Sequence, residues 1–98
     1  MVFHEVTVDV AAEIARVFEV YMLGKHVPEM LATACFGSIS FDRSSETRFR
    51  TRYAAATQED LDRYLTQHAA HFRADFHDHV PAGAVPTREV WTLVKSWG

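Results

Sequence analysis

The sequence predicts one α+β domain with the element order β-α-β-β-α-β. Three observations lead there. The N-terminal VFHEVTVDV alternates Val2, His4, Val6, Val8 and Val10 with Phe3, Glu5, Thr7 and Asp9, the period of two of a strand with one mainly apolar face. Two longer stretches repeat apolar residues at helical spacing, one before and one after a pair of short alternating segments. A last alternating segment follows the breaker PAGAVP.

The first strand is rich in valine, a residue that suits a pleated, half-buried surface. Asp9 is placed to cap the first helix, its carboxylate accepting from a free amide of the opening turn. Ile14, Val17, Phe18 and Tyr21 form that helix's apolar stripe. Pro28 disfavours helical backbone at Val27, so the helix is predicted to end near Lys25–His26. Pro28 then opens a short second turn, PEMLAT. Lys25 and His26 would sit at a carbonyl end, where positive charge is favoured.

FGSISFDR reads as the second strand, Ser44 and Ser45 as a turn, and TRFRTRYAA as the third strand. Thr57, with Asp60 three residues on, approximates a capping box and opens the second helix, striped by Leu61, Leu65, Phe72 and Phe76. TREVWTLVKSW is the closing strand. With right-handed crossovers this order gives a single ferredoxin-like domain over residues 1–98: a four-stranded antiparallel sheet with two helices on one face. The other face should carry Glu5, Thr7, Ser38, Ser40, Arg48, Arg50 and Arg52, with Phe3 and Phe36 among them. It faces either water or a second sheet.

Composition narrows the function classes. A chain of 98 residues buries only ~65% of its extended surface, so a second copy would help complete the core. Cys35 is the single cysteine and no secretory leader is evident, which together predict a cytoplasmic protein. Glu13, Arg16, Glu19 and Lys25 interrupt the first apolar region, leaving nothing near the ~20 apolar residues of a membrane span. Net charge is −3, and the basic character is one local band, four arginines against one glutamate over residues 43–57. No global attraction to nucleic acid follows from that balance. RFRTRY has the strand order of an RNA-recognition module but lacks its glycine-rich signature, and Phe49, Thr51 and Tyr53 alternate onto the helix-facing side. The arginines between them are expected to pair with acidic residues such as Glu5.

On an ideal helix with Leu61 at zero, His68 falls at about 340°, flanked by Tyr64 at about 300°. His68 is therefore expected in the helix–sheet layer, and His4 shares the alternation class of Val6 and Val8. A histidine on an apolar face is either a hydrogen-bonded core residue or a ligand anchor and base. His68, His71, Asp75, Asp78 and His79 have the three- and four-residue spacings of helical metal ligands, but no partner motif accompanies them, and no metal is expected. No nucleophile elbow or phosphate-binding glycine loop is present. Trp91 could stack on an aromatic ligand.

The segment KHVPEMLATACF and the later LDRYLTQHAAHFR resemble two motifs of an uncharacterised group of short, mainly bacterial proteins in the dimeric α/β-barrel superfamily. The likeness runs from about Phe3 to Trp97. It implies a homodimer with two ferredoxin-like sheets packed face to face and the helices outside. It implies no agreed activity, since that superfamily spans cofactor-independent monooxygenases, haem-degrading enzymes, isomerases and binding modules. Arg50, Arg52 and Trp91 depart from the family's pattern.

The sequence thus predicts a homodimer joined through the sheet face. It would bind or transform a small aromatic or apolar molecule, with no cofactor. His68 is expected as anchor or base, His26 as guard of the entrance, and His4, Tyr64 and Trp91 as ligand contacts. The competing expectation is a non-catalytic interaction module in which the histidines are structural.

Overall fold

The computed structural model describes all residues, Met1–Gly98. Four strands, β1 (Val2–Val10), β2 (Ser38–Ser45), β3 (Arg48–Ala55) and β4 (Ala84–Thr92), form one sheet in the order β2-β3-β1-β4 with every neighbouring pair antiparallel. This is the ferredoxin-like arrangement. β1 is central because its valine-rich face is the most completely buried: Val2, His4, Val8 and Val10 all pack under the helices. β4 is an edge strand, which tolerates Pro86 within it.

The first helical region runs without interruption from residue 12 to 32. A 3-10 turn (Ala12–Ile14) leads into α1 (Ala15–Tyr21), a π turn (Met22–His26) and α2 (Val27–Ala32). The helix therefore does not stop at Lys25–His26 as the proline suggested. Val27 keeps helical angles, φ −63° and ψ −46°, and its N–H bonds to the Met22 carbonyl five residues back. Pro28 brings no N–H and crowds the carbonyl four residues earlier. A widened turn lets the chain pass that position without breaking. Asp9 is not a cap either. The strand continues through it, and its exposed carboxylate lies 3.7 Å from Arg48 on the open sheet face. The first turn starts at Ala11 with no side-chain cap.

Ala34, just past α2, adopts φ +60°, a left-handed conformation that glycine normally supplies at helix ends. Its carbonyl accepts from Arg63. Phe36 precedes β2 rather than belonging to it. It turns inward against Tyr53 and Tyr64, not onto the polar face. The hairpin turn falls at Glu46 and Thr47, with a bulge between Arg43 and Ser45.

The second helical region is two helices, α3 (Gln58–Gln67) and α4 (Ala69–His79). Thr57 caps α3 as expected, its hydroxyl accepting from the Asp60 amide at 3.2 Å. His68 is the break, at φ −126° and ψ −30°, and this resets the helical phase beyond it. Leu61 and Phe72 are buried, but Leu65 stays exposed. β4 begins three residues earlier than predicted and ends at Thr92, leaving Leu93, Val94 and Trp97 exposed beyond the sheet.

The buried apolar residues fall into two clusters. One gathers Met30, Phe36, Tyr53, Leu61, Tyr64 and Phe72; the other gathers Val8, Ile14, Phe18, Met22 and Phe49. Val6 touches both. The only buried polar residues are His4, His26 and Thr51. They sit where the two halves of the core meet.

Candidate functional site

A cavity of about 240 Å³ opens between the helices and the sheet, where the core is divided. This is slightly below the usual ~300–1,000 Å³ of ligand sites, so it limits any occupant to a small molecule. β1 contributes His4 and Val6, β3 contributes Thr51 and Tyr53, and the π turn contributes Met22 and His26. Phe18, Met30, Tyr64, Phe72 and Phe76 give it apolar and aromatic walls. Arg73 and His77 of α4, with Pro86 and Arg88 of β4, complete the lining.

His26 is held on several sides. Its Nε2 lies 3.0 Å from the Tyr53 hydroxyl, and its ring meets Phe72 edge-on with centroids 5.6 Å apart. Only 8% of the residue is exposed. Burial pushes its pKa down to about 4, against the opposing pull of Asp75 and Glu29, so the imidazole is neutral at pH 7. His4 lies between Tyr53 and Tyr64, with ring centroids at 5.8 and 6.0 Å. Burial first, and the Arg88 charge second, hold its pKa below the usual histidine value. Burial likewise raises the phenol pKa values of Tyr53 and Tyr64. The floor is therefore made of neutral hydrogen-bonding groups.

Two of those groups lack partners. The Nδ1 atoms of His4 and of His26 are buried without a hydrogen bond. Buried polar atoms are almost always satisfied, by protein, water or ligand. A neutral imidazole can donate or accept at such an atom, and as a base it can take a proton from a bound acid.

Behind the floor, a polar cluster fixes the π turn to α4. Tyr21 donates to Asp75 Oδ2 at 2.8 Å, and Lys25 reaches both Asp75 and Glu29. Burial works against the ionised Asp75, but the hydrogen bonds from Tyr21 and Lys25 outweigh it and hold the carboxyl pKa low. His79 stacks on Tyr21, its Nδ1 2.8 Å from the Asp75 carbonyl. Asp75 and His79 of α4 thus serve this cluster, and nowhere do three or more metal-ligating side chains converge.

The structure brings together His4, His26 and Tyr64 on one cavity. It does not bring His68 there: the residue sits at the α3–α4 break, half-buried and stacked on Tyr64 at 6.4 Å. The ideal-helix phase fails because the helix is not continuous through it. His26 is part of the buried floor, not a guard at the entrance. Trp91 lies on the opposite side of the sheet, in a shallow cleft with Phe3, Glu5 and Arg52. Its register partner is Phe3, which faces away from the helices. Sequence reasoning placed Tyr53 only in the core, and missed Arg73 and Arg88. The alternation Pro86, Arg88, Val90 holds the signal for Arg88 once β4 is paired with Val8, Val6 and His4.

On the open face the strand-3 arginines pair as anticipated, Arg52 with Glu5 at 3.6 Å and Arg50 with Asp42 at 2.9 Å. The Arg52 guanidinium also covers the Phe3 ring at 3.7 Å. Phe49 and Tyr53 are buried on the helix side, so strand 3 offers no exposed aromatics for stacking bases. No helix is long and apolar enough to cross a membrane.

Comparison with solved structures supports the fold. The chain is similar to an ethyl tert-butyl ether d (EthD) family protein from Bacillus halodurans C-125, with a TM-score of 0.70 and 12% identity over 96% of this chain and 100% of that one. It is also similar to a protein described as dimeric and ferredoxin-like from an uncultured marine organism, with a TM-score of 0.68 and 8% identity over 99% and 98% of the two chains. At such identities the likeness concerns the fold alone. No curated protein matches the sequence. Residues 1–92 match a family described as a domain of unknown function, DUF4286, so nearly the whole chain is covered and the protein belongs to that family.

Proposed function

We propose that this protein binds a small aromatic or apolar molecule in the cavity between helices and sheet, and does so as a homodimer joined through its open sheet faces. The observation that carries this reading is a cavity with largely apolar and aromatic walls lined by His4 and His26, each of which has a buried Nδ1 atom without a partner. Each such atom costs about 1–3 kcal/mol while unsatisfied. A ligand that hydrogen-bonds to both recovers that cost and gains apolar burial against Phe18 and Phe72. The chemistry this floor suits is proton transfer by a neutral imidazole, as an isomerase or a cofactor-independent monooxygenase requires. The dimer is supported by the aromatic pair Phe3 and Trp91 on the open face, and by the dimeric description of the marine protein. Cys35, single and buried, suits a cytoplasmic setting.

A panel of small aromatic molecules, read by thermal shift and native mass spectrometry, tests the reading. His4→Phe and His26→Phe are expected to abolish binding while the folded dimer persists. Binding that responds to His68→Ala but not to His26→Phe would move the site to the helix break and refute the cavity. A folded protein that binds nothing in the panel would favour the interaction-module reading, in which the Phe3–Trp91 cleft meets another protein.

A further inference from the structure

The cavity carries charge of one sign. Arg73 and Arg88 line it together with three histidines, and no aspartate or glutamate does. That is unlike the chain as a whole, whose net charge is −3. Elsewhere five of the six arginines are matched: Arg43, Arg48, Arg50, Arg52 and Arg63 each lie within reach of a carboxylate, and Arg16 alone does not. Arg73 and Arg88 are exposed on the cavity's lining and make neither a salt bridge nor a side-chain hydrogen bond, so no carboxylate of the chain competes for their guanidinium groups. Arg88 sits opposite Val6 in the β1–β4 register, which fixes it on the helix-facing side of the sheet. Its charge is felt by His4, Tyr53 and Tyr64, and that of Arg73 by Tyr64. The polar groups of the cavity thus differ in kind: unpaired cations from α4 and β4, and neutral imidazole and phenol from β1, β3 and the π turn.

We infer that the ligand is an aromatic carboxylate that also bears a hydroxyl. Arg73 and Arg88 hold its carboxylate, Phe18, Phe72 and Phe76 enclose its ring, and its hydroxyl meets the unpartnered imidazoles of the floor. The planar guanidinium fork matches a carboxylate in shape and donor number, and such charge-assisted bonds are about twice as strong as neutral ones. A neutral imidazole at the hydroxyl provides either an acceptor for it or a base that takes its proton. This inference rests on the proposed binding of a small aromatic molecule in the cavity and adds its charge and orientation.

The test compares hydroxynaphthoate with its primary amide by isothermal titration. The wild type and the double variant Arg73→Met/Arg88→Met are both measured, since methionine keeps an apolar stem without the charge. The acid is expected to bind the wild type about tenfold tighter than the amide, a difference of about 1.4 kcal/mol, and to weaken as salt rises. In the double variant the two affinities are expected to converge through loss of the acid's advantage, with the amide unchanged. Equal affinity of acid and amide for the wild type would overturn the charge assignment while leaving small-molecule binding in the cavity intact. An acid preference that survives in the double variant would overturn the role of the two arginines. Failure of both probes to bind the folded wild type would overturn this inference together with the reading beneath it.

Discussion

Lowering the pH from 7 to 4 should destabilise the protein through His26, and the size of the effect follows from its surroundings. Burial is the dominant influence on the ring, exceeding the attraction of Asp75 and Glu29, and it takes the pKa from 6.5 to about 4. The unfolded chain therefore binds this proton more readily than the folded one. His26's contribution is complete above pH 6.5, declines as pH falls, and is lost below about pH 4. Over that gap, at about 1.4 kcal/mol per pH unit, the loss comes to about 3 kcal/mol. That is a substantial share of the ~5–15 kcal/mol that stabilises an ordinary domain. His4, also held below its usual value, adds to the loss in the same direction. Urea unfolding of wild type and His26→Phe at a series of pH values separates the two. The wild type should lose about 3 kcal/mol more than the variant between pH 7 and 4. Parallel curves, or a magnetic-resonance titration of His26 centred at 6.5 or above, would show that the ring is not held neutral by burial.

Four further outcomes are expected. Phe18→Ala should cost about 3–5 kcal/mol in chemical denaturation, because the side chain is wholly buried and joins several aromatic rings. Thr57→Ala should cost about 1 kcal/mol through loss of the hydroxyl that caps α3, and the same measurement checks it. Ala34→Gly should add about 1 kcal/mol, since a left-handed backbone strains alanine but not glycine; no gain would mean that the strain is absent. Trp91→Asp should shift the protein from dimer to monomer in native mass spectrometry, with little change in far-ultraviolet circular dichroism, if the open face is the interface.

Much of the architecture was readable because burial imposes a local period. β1 alternates visibly, as one face lies against the helices and the other does not. The cap at Thr57 was readable because it too is local, though exposed: it depends on residues three apart. The site was harder. Pro28 marks His26 in the sequence as a helix-end residue, whereas a widened turn carries the helix past it. The angular position of His68 assumed one helix where a single irregular residue makes two. Arg88 belongs to an edge strand exposed on most of its length, so alternation alone does not tell its faces apart. Only pairing with β1, some eighty residues away in sequence, puts it beside Val6. Features set by long-range register or by a local irregularity were the ones that pattern reading missed.

The widened turn at Met22–His26 also couples chain length to residue identity. Tyr21 and His26 are five residues apart, which in a regular helix would separate them by about 140°. Here their rings lie 5.7 Å apart, on the same face. The turn absorbs one residue, so the two ends of the helix keep their facing only while that extra residue is present. Removing Gly24 would restore a regular spacing, at which Tyr21 and His26 still share a face, but would bring the Pro28 ring against the carbonyl four positions back. Insertion and proline are thus a matched pair. Evolutionary loss of one should be accompanied by loss of the other, and relatives without the proline are expected to be one residue shorter between these two aromatic positions.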